Sequence, residues 1–197
     1  MNNMKLNLLG RTHYAGKAGL AALVVAASMT IASPQAMAVA VCFNTPITVP
    51  QSTAGIYVNL FTGVTGASAG ATADWDFNPW GATTLNLFSP GAPQGHVSSG
   101  GVISDLPTGT LVDGSSTYTA GASSALAMGT YRAGVNPGYM GVRFAQAGVT
   151  YYAWVSMTTI GPQGTPATIN SWCFQNTPDT GITVGTTPVS LQNFSVE

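Results

Sequence analysis

Apolar and polar positions alternate most regularly over residues 138–157, GYMGVRFAQAGVTYYAWVSM. In the first half Met140, Val142 and Phe144 alternate with Tyr139, Gly141 and Arg143, the period-two pattern of a strand with one apolar face. Gln146, Ala147 and Gly148 read as a short connection, with Gly148 supplying the positive φ of a hairpin that carries a bulge. The second half places Val149, Tyr151, Ala153, Val155 and Met157 on one face and Thr150, Tyr152, Trp154 and Ser156 on the other. Both faces carry large rings, which predicts a central strand rather than an edge. Two strands alone are marginal in water, so further strands must cover them.

The rest of the pattern agrees. Ile56, Val58 and Leu60 alternate with Tyr57, Asn59 and Phe61. Further strands are expected over 71–77, ended by Asn78-Pro79, and over 83–88, ended by Ser89-Pro90-Gly91. Short strands are expected at Val102-Ile103 and Leu111-Val112, then a turn at Asn136-Pro137-Gly138 ahead of the hairpin. Ile169 and Trp172 mark a strand over 168–174. Val189 and Leu191 differ in parity from Phe194 and Val196, which predicts a last strand with a bulge near Gln192. From residue 39 onward no window carries a helical period. The expected fold is all-β, an antiparallel β-sandwich or jelly roll.

The N-terminus stands apart from this pattern. Lys5, Arg11 and Lys17 precede an apolar run from Leu20 to Ile31, and Ala36-Met37-Ala38 has the small-x-small form of a signal-peptidase site. The run is about a dozen residues, against the ~20 of a spanning helix. Residues 1–38 are therefore read as a signal peptide and 39–197 as a single exported domain, secreted or periplasmic, with no membrane insertion of the mature chain. Val41 ahead of Cys42 argues against a lipid anchor, which needs a small residue there.

Processing changes the charge balance. Arg132 and Arg143 become the only basic residues, against Asp74, Asp76, Asp105, Asp113, Asp179 and Glu197. Two dispersed arginines cannot neutralise a run of phosphates, which excludes nucleic acid as a partner. With 45% hydrophobic and 6% charged residues, the chain can pack a core beneath a neutral polar surface. Cys42 and Cys173 are an even pair in an exported chain and predict a disulfide that ties the mature N-terminus to a late strand.

Candidate chemistry concentrates in Asp74-Trp75-Asp76-Phe77-Asn78-Pro79-Trp80. On a strand Asp74, Asp76 and Asn78 would share one face, ~6.6 Å between successive Cα atoms, and three oxygen-bearing side chains there are a candidate calcium site. An EF-hand loop is excluded, because Pro79 and Leu85 stand where its glycine and bidentate glutamate belong. The competing reading is a strand end whose side chains bond nearby backbone. Carboxylates on one strand point the same way and do not flank a sugar bond as glycoside hydrolysis requires. Gly66-Ala67-Ser68-Ala69-Gly70 matches the G-x-S-x-G string, but it lacks the strand before and helix after that the nucleophile elbow needs, and His96 is the one mature histidine. Apart from calcium, no cofactor is implied. Among the rings, Trp154 and Trp172 read as core. Trp80, after Pro79 at a strand end, is the candidate for ligand binding.

Together these segments resemble a group of secreted bacterial β-sandwich proteins of uncharacterised function. The group carries W-D-[FI]-N-P-[YW], G-[YF]-x-G-x-[RK]-F, Y-[YG]-x-[WM] and I-x-x-W-x-[YF] segments. The matches fall on Trp75 to Trp80, Gly138 to Phe144, Tyr151 to Trp154 and Ile169 to Phe174. Ala153 stands where such proteins often have glycine, and Cys173 lies inside the last motif. The resemblance implies a secreted β-sandwich and brings no catalytic residues. Some of the group end in a sorting helix; this chain ends in Ser195-Val196-Glu197, so it is expected to be released or held non-covalently.

The functional expectation is a secreted or cell-surface binding or structural module. One version binds a glycan around Trp80 and the Asp74/Asp76 pair, with or without calcium. A second self-associates through edge strands, which a mature chain without lysine protects poorly. A carbohydrate-active enzyme is the third reading.

Overall fold

The computed structural model describes residues 39–120 and 128–188. The expected signal peptide and the expected strand over 189–196 lie outside the described residues. In chain order the strands are β1 (Ala40–Phe43), β2 (Ile47–Thr48), β3 (Tyr57–Val58), β4 (Thr65–Gly66), β5 (Asn78–Trp80), β6 (Asn86–Phe88) and β7 (Gly95–Ser99). They continue with β8 (Val102–Ile103), β9 (Leu111–Val112), β10 (Tyr118–Thr119), β11 (Val135–Gln146), β12 (Val149–Thr159), β13 (Ala167–Gln175) and β14 (Ile182–Thr183). A 3-10 turn at Ala69–Ala71 and the short helix α1 (Thr130–Ala133) interrupt them. Among the described residues no helix is long and apolar enough to cross a membrane.

The fold is an all-β sandwich. Its main sheet runs β1-β13-β12-β11-β7-β10, with β2 also on β13 and β8 on β7. Three antiparallel two-stranded sheets, β3-β4, β5-β6 and β9-β14, complete it. As the alternation predicted, β12 is central, between β11 and β13. Its two faces go to different cores. Ala153, Val155 and Met157 join Met140, Val142, Phe144 and Trp172 against Val58, Leu60, Phe77, Leu85 and Leu87. Tyr152, Trp154 and Cys173 pack on the opposite side against Val112, Ile182 and Val184.

Two register shifts settle positions where simple alternation fails. Ile169 and Trp172 are three residues apart, yet both are buried in the larger core. Ser156 pairs with Ser171 and Met157 with Ile169, so Asn170 is an extra residue that resets the parity. Val135 pairs with Thr159 and Gly138 with Met157, leaving Asn136 and Pro137 in a bulge inside β11. The expected turn there is thus a bulge, the place where a sheet tolerates proline. The hairpin turn is corrected in the other direction. Gln146 pairs directly with Val149, leaving a two-residue loop, Ala147 at φ 50° and Gly148 at φ 78°, without a bulge.

The disulfide between Cys42 and Cys173 is present. The two residues sit directly opposite each other in the β1–β13 pair, with Cα atoms 4.1 Å apart. It bonds edge strand β1 to the sheet over 131 residues of chain. Bonds of this kind persist in oxidising compartments.

Candidate functional site

The segment around Trp75 is fixed from beneath by three polar side chains. Asn59 interrupts the apolar run of Val58 and Leu60 and is itself buried. Its Nδ2 donates to the carbonyls of Ala73 and Asp74, both at 3.0 Å. Its Oδ1 accepts the N–H groups of Phe61 (3.0 Å) and Thr62 (2.8 Å). One amide therefore closes the turn after β3 and grips the chain just before Trp75. Asp76, 1% exposed, accepts the Leu60 N–H on Oδ2 at 2.9 Å, and its Oδ1 is buried without a partner. Asn78 donates through Nδ2 to the carbonyls of Ala54 (3.0 Å) and Ile56 (2.9 Å). Backbone bonds add to these: Asp76 and Phe77 donate to Val58, Val58 donates to Phe77, and Ile56 donates to Pro79.

This arrangement corrects the expected geometry of the D-x-D-x-N motif. The strand over 71–77 is not formed, and β5 begins at Asn78 instead of ending before it. Pro79 is accommodated because β5 uses its carbonyl, not an N–H, on the β3 side. Asp74 is an exposed turn residue at φ 50°, a conformation that aspartate tolerates better than most side chains. Asp74, Asp76 and Asn78 therefore do not form one face of one strand. Asp76 and Asn78 are spent on backbone groups, as the competing reading of a strand end had it. Among the described residues no group of three or more His, Cys, Asp or Glu side chains is placed to hold a metal ion.

Burial is also the main influence on the Asp76 carboxyl. Taken out of water, it is pushed up to about 7, with the Leu60 N–H partly offsetting the rise and the neighbouring Asp74 charge adding to it. His96 is fully buried on β7, and neither ring nitrogen has a partner. Burial lowers it to about 3, so the imidazole is neutral across physiological pH. Its ring meets that of Phe77 at 5.8 Å, edge to face. Ser68 accepts the Ala71 N–H and caps the 3-10 turn. Neither residue therefore has the setting of a serine–histidine pair.

Trp75 is the ring this framework presents. It is half-buried, edge to face with Tyr57 at 4.9 Å and tilted against Phe88 at 5.2 Å. Beside it lies a groove of ≈ 370 Å³ lined by Ala69, Asp74, Trp75, Pro90, Gln94 and Ala145. Trp80, at the far end of the same motif, is also half-buried but does not line this groove. It sits opposite Asn86, with its Cβ packed so close over Gly55 that no side chain fits there. Trp154 and Trp172 are core residues, as expected, and the Trp172 indole donates to the Leu60 carbonyl at 3.0 Å.

Asn59 and the role of Trp75 are not legible in the local sequence pattern. The one available signal for Asn59 was a polar amide in an otherwise apolar alternation. The supports of Trp75 come from β3 and β6 and are not local to its motif. Comparison with protein-family models, curated proteins and solved structures returns no match, so the site stands on its geometry alone.

Proposed function

We propose that the chain is exported, loses residues 1–38, and acts outside the cytoplasm as a β-sandwich binding module whose contact surface is the Trp75 segment. The observation that carries this reading is the use of three buried polar side chains to fix one half-exposed ring at a groove. Asn59, Asp76 and Asn78 are all 3% exposed or less. Buried polar groups are costly unless paired. Here Asn59 bonds the Ala73 and Asp74 carbonyls just before Trp75, while Asp76 and Asn78, just after it, bond the backbone of Leu60, Ala54 and Ile56. The disulfide and the scarcity of charge fit an extracellular setting. Self-association through strand addition is less favoured. Among the described residues the edges of the main sheet are β1 and β2 on one side and β10 on the other, of four, two and two residues, and short edges are one way natural sheets resist such pairing.

The test is co-sedimentation of the purified 39–197 domain with bacterial cell envelopes and with insoluble cellulose, chitin, starch and peptidoglycan, alongside light scattering across concentration. The reading predicts a monomer that leaves the supernatant with at least one of these solids. A protein that stays in every supernatant and assembles with concentration contradicts it and favours strand addition.

A further inference from the structure

Resting on that binding reading, we infer that the groove beside Trp75 is a subsite for one pyranose ring of a neutral polysaccharide, stacked on the indole and hydrogen-bonded by Asp74 and Gln94. The groove of ≈ 370 Å³ lies at the small end of ligand clefts, which run from about 300 to 1,000 Å³. It suits one sugar unit of a longer chain better than an extended ligand enclosed on all sides.

The lining chemistry narrows the class. Trp75 offers apolar ring surface, which matches the C–H face of a pyranose. Asp74 supplies carboxylate acceptors, and Gln94 supplies both a donor and an acceptor for hydroxyl groups. A purely apolar ligand would leave these polar groups unpaired. An anionic ligand would meet the Asp74 charge with no cation to offset it, since no basic residue lines the groove. Neither arginine of the exported chain is in the lining. Arg132 donates to the Leu85 carbonyl and to Asn86 Oδ1, and Arg143 donates to the Pro93 carbonyl with its guanidinium 4.4 Å from the centre of the Tyr118 ring.

The ring is also ordered before any ligand arrives. Tyr57 and Phe88 both pack against the indole, and the chain is pinned before it by Asn59 and after it by Asp76. A side chain already immobilised loses little entropy on binding.

Affinity electrophoresis tests the assignment. Wild type, Trp75→Ala, Gln94→Ala, Asp74→Asn and Trp80→Ala are run in native gels cast with galactomannan, hydroxyethyl cellulose or amylopectin, and in gels cast with alginate or polygalacturonate. Melting curves of each variant establish folding. The inference predicts retardation of the wild type in a neutral gel and not in the acidic ones. Trp75→Ala should weaken it about tenfold or more, Gln94→Ala and Asp74→Asn should weaken it measurably, and Trp80→Ala should leave it unchanged. If Trp75→Ala melts early, the two polar variants carry the test, because neither removes a packed ring. Retardation that survives Trp75→Ala, Gln94→Ala and Asp74→Asn overturns the subsite while leaving the binding reading in place. So does retardation confined to acidic gels. No retardation in any gel also overturns the subsite, and the binding reading then stands or falls on the co-sedimentation with envelopes.

Discussion

The buried carboxylate of Asp76 holds the N–H of Leu60 at 2.9 Å, and this bond joins the Trp75 segment to the turn that follows β3. On its other side, Leu60 receives the Trp172 indole through its carbonyl. A surface motif is thereby tied, through one core leucine, to the strand that also carries the disulfide.

The state of that carboxyl sets a pH dependence. Asp76 has an ordinary value of 3.8 and is raised to about 7 in the fold. A group raised on folding contributes stability that is fully present below the unfolded value and is lost as pH rises through the folded one. Taken alone, Asp76 should therefore lower stability between about pH 4 and pH 7 by an amount on the order of a few kcal/mol. Buried His96, lowered from 6.5 to about 3, acts in the opposite sense over the same range, so the Asp76 contribution is read as the difference between wild type and variant. In Asp76→Asn, which retains an acceptor for Leu60, that part of the slope should disappear. Urea denaturation from pH 4 to 8 reads it. Equal slopes in the two proteins would show that Asp76 is not the responsible group.

Asn59 is the second fixed point. Removing its amide in Asn59→Ala leaves two carbonyls and two N–H groups without their partner. The expected loss is about 2–4 kcal/mol in denaturant unfolding, together with weaker retention on any solid that binds the wild type. A change below about 0.5 kcal/mol, the level of an ordinary surface substitution, would contradict the assigned role.

The disulfide fastens the edge of the main sheet. Replacing both Cys42 and Cys173 by alanine should destabilise the domain by about 2–5 kcal/mol. Because among the described residues β1 pairs with β13 alone, amide exchange should rise first in β1. Uniformly faster exchange across all strands would indicate that the bond serves the whole fold instead.

Ala147 is an alanine in the left-handed region at the hairpin turn. Ala147→Gly should raise stability by about 0.5–1 kcal/mol by relieving that conformation, and Ala147→Asn should act in the same direction. The gain is read as a shift of the denaturation midpoint with an unchanged slope. A lower midpoint in both variants would contradict the two-residue turn.

How much of this was legible in the sequence depended on the range of the interaction. The hairpin of β11 and β12 was readable because Met140, Val142 and Phe144, and then Ala153, Val155 and Met157, repeat every second residue. The partner of Cys42 was readable because a single candidate existed. The bulge at Asn170 was not, since one extra residue in β13 leaves no mark except that Ile169 and Trp172 differ in parity. The work of Asp76 and Asn78 was invisible for another reason. Their partners, Leu60, Ala54 and Ile56, lie 16 to 24 residues away, and a local strand pattern pointed all the oxygens of the motif to one side. Four residues of α1 are too few for a helical period to register. Between the two tryptophans at the ends of the motif, Tyr57 and Phe88 decide which one faces the groove, and both belong to other strands.

The central claim is that Trp75, rather than Trp80, is the ring this domain offers to a ligand. Oxidation of the native protein with N-bromosuccinimide, followed by peptide mass spectrometry, reads it directly when done on free protein and on protein held by the solid that retains it. Trp154 and Trp172, 3% and 2% exposed, should resist in both samples. The account predicts that Trp75 reacts in the free protein and is protected in the bound one, while Trp80 reacts equally in both. Protection of Trp80 with Trp75 still reactive would contradict it.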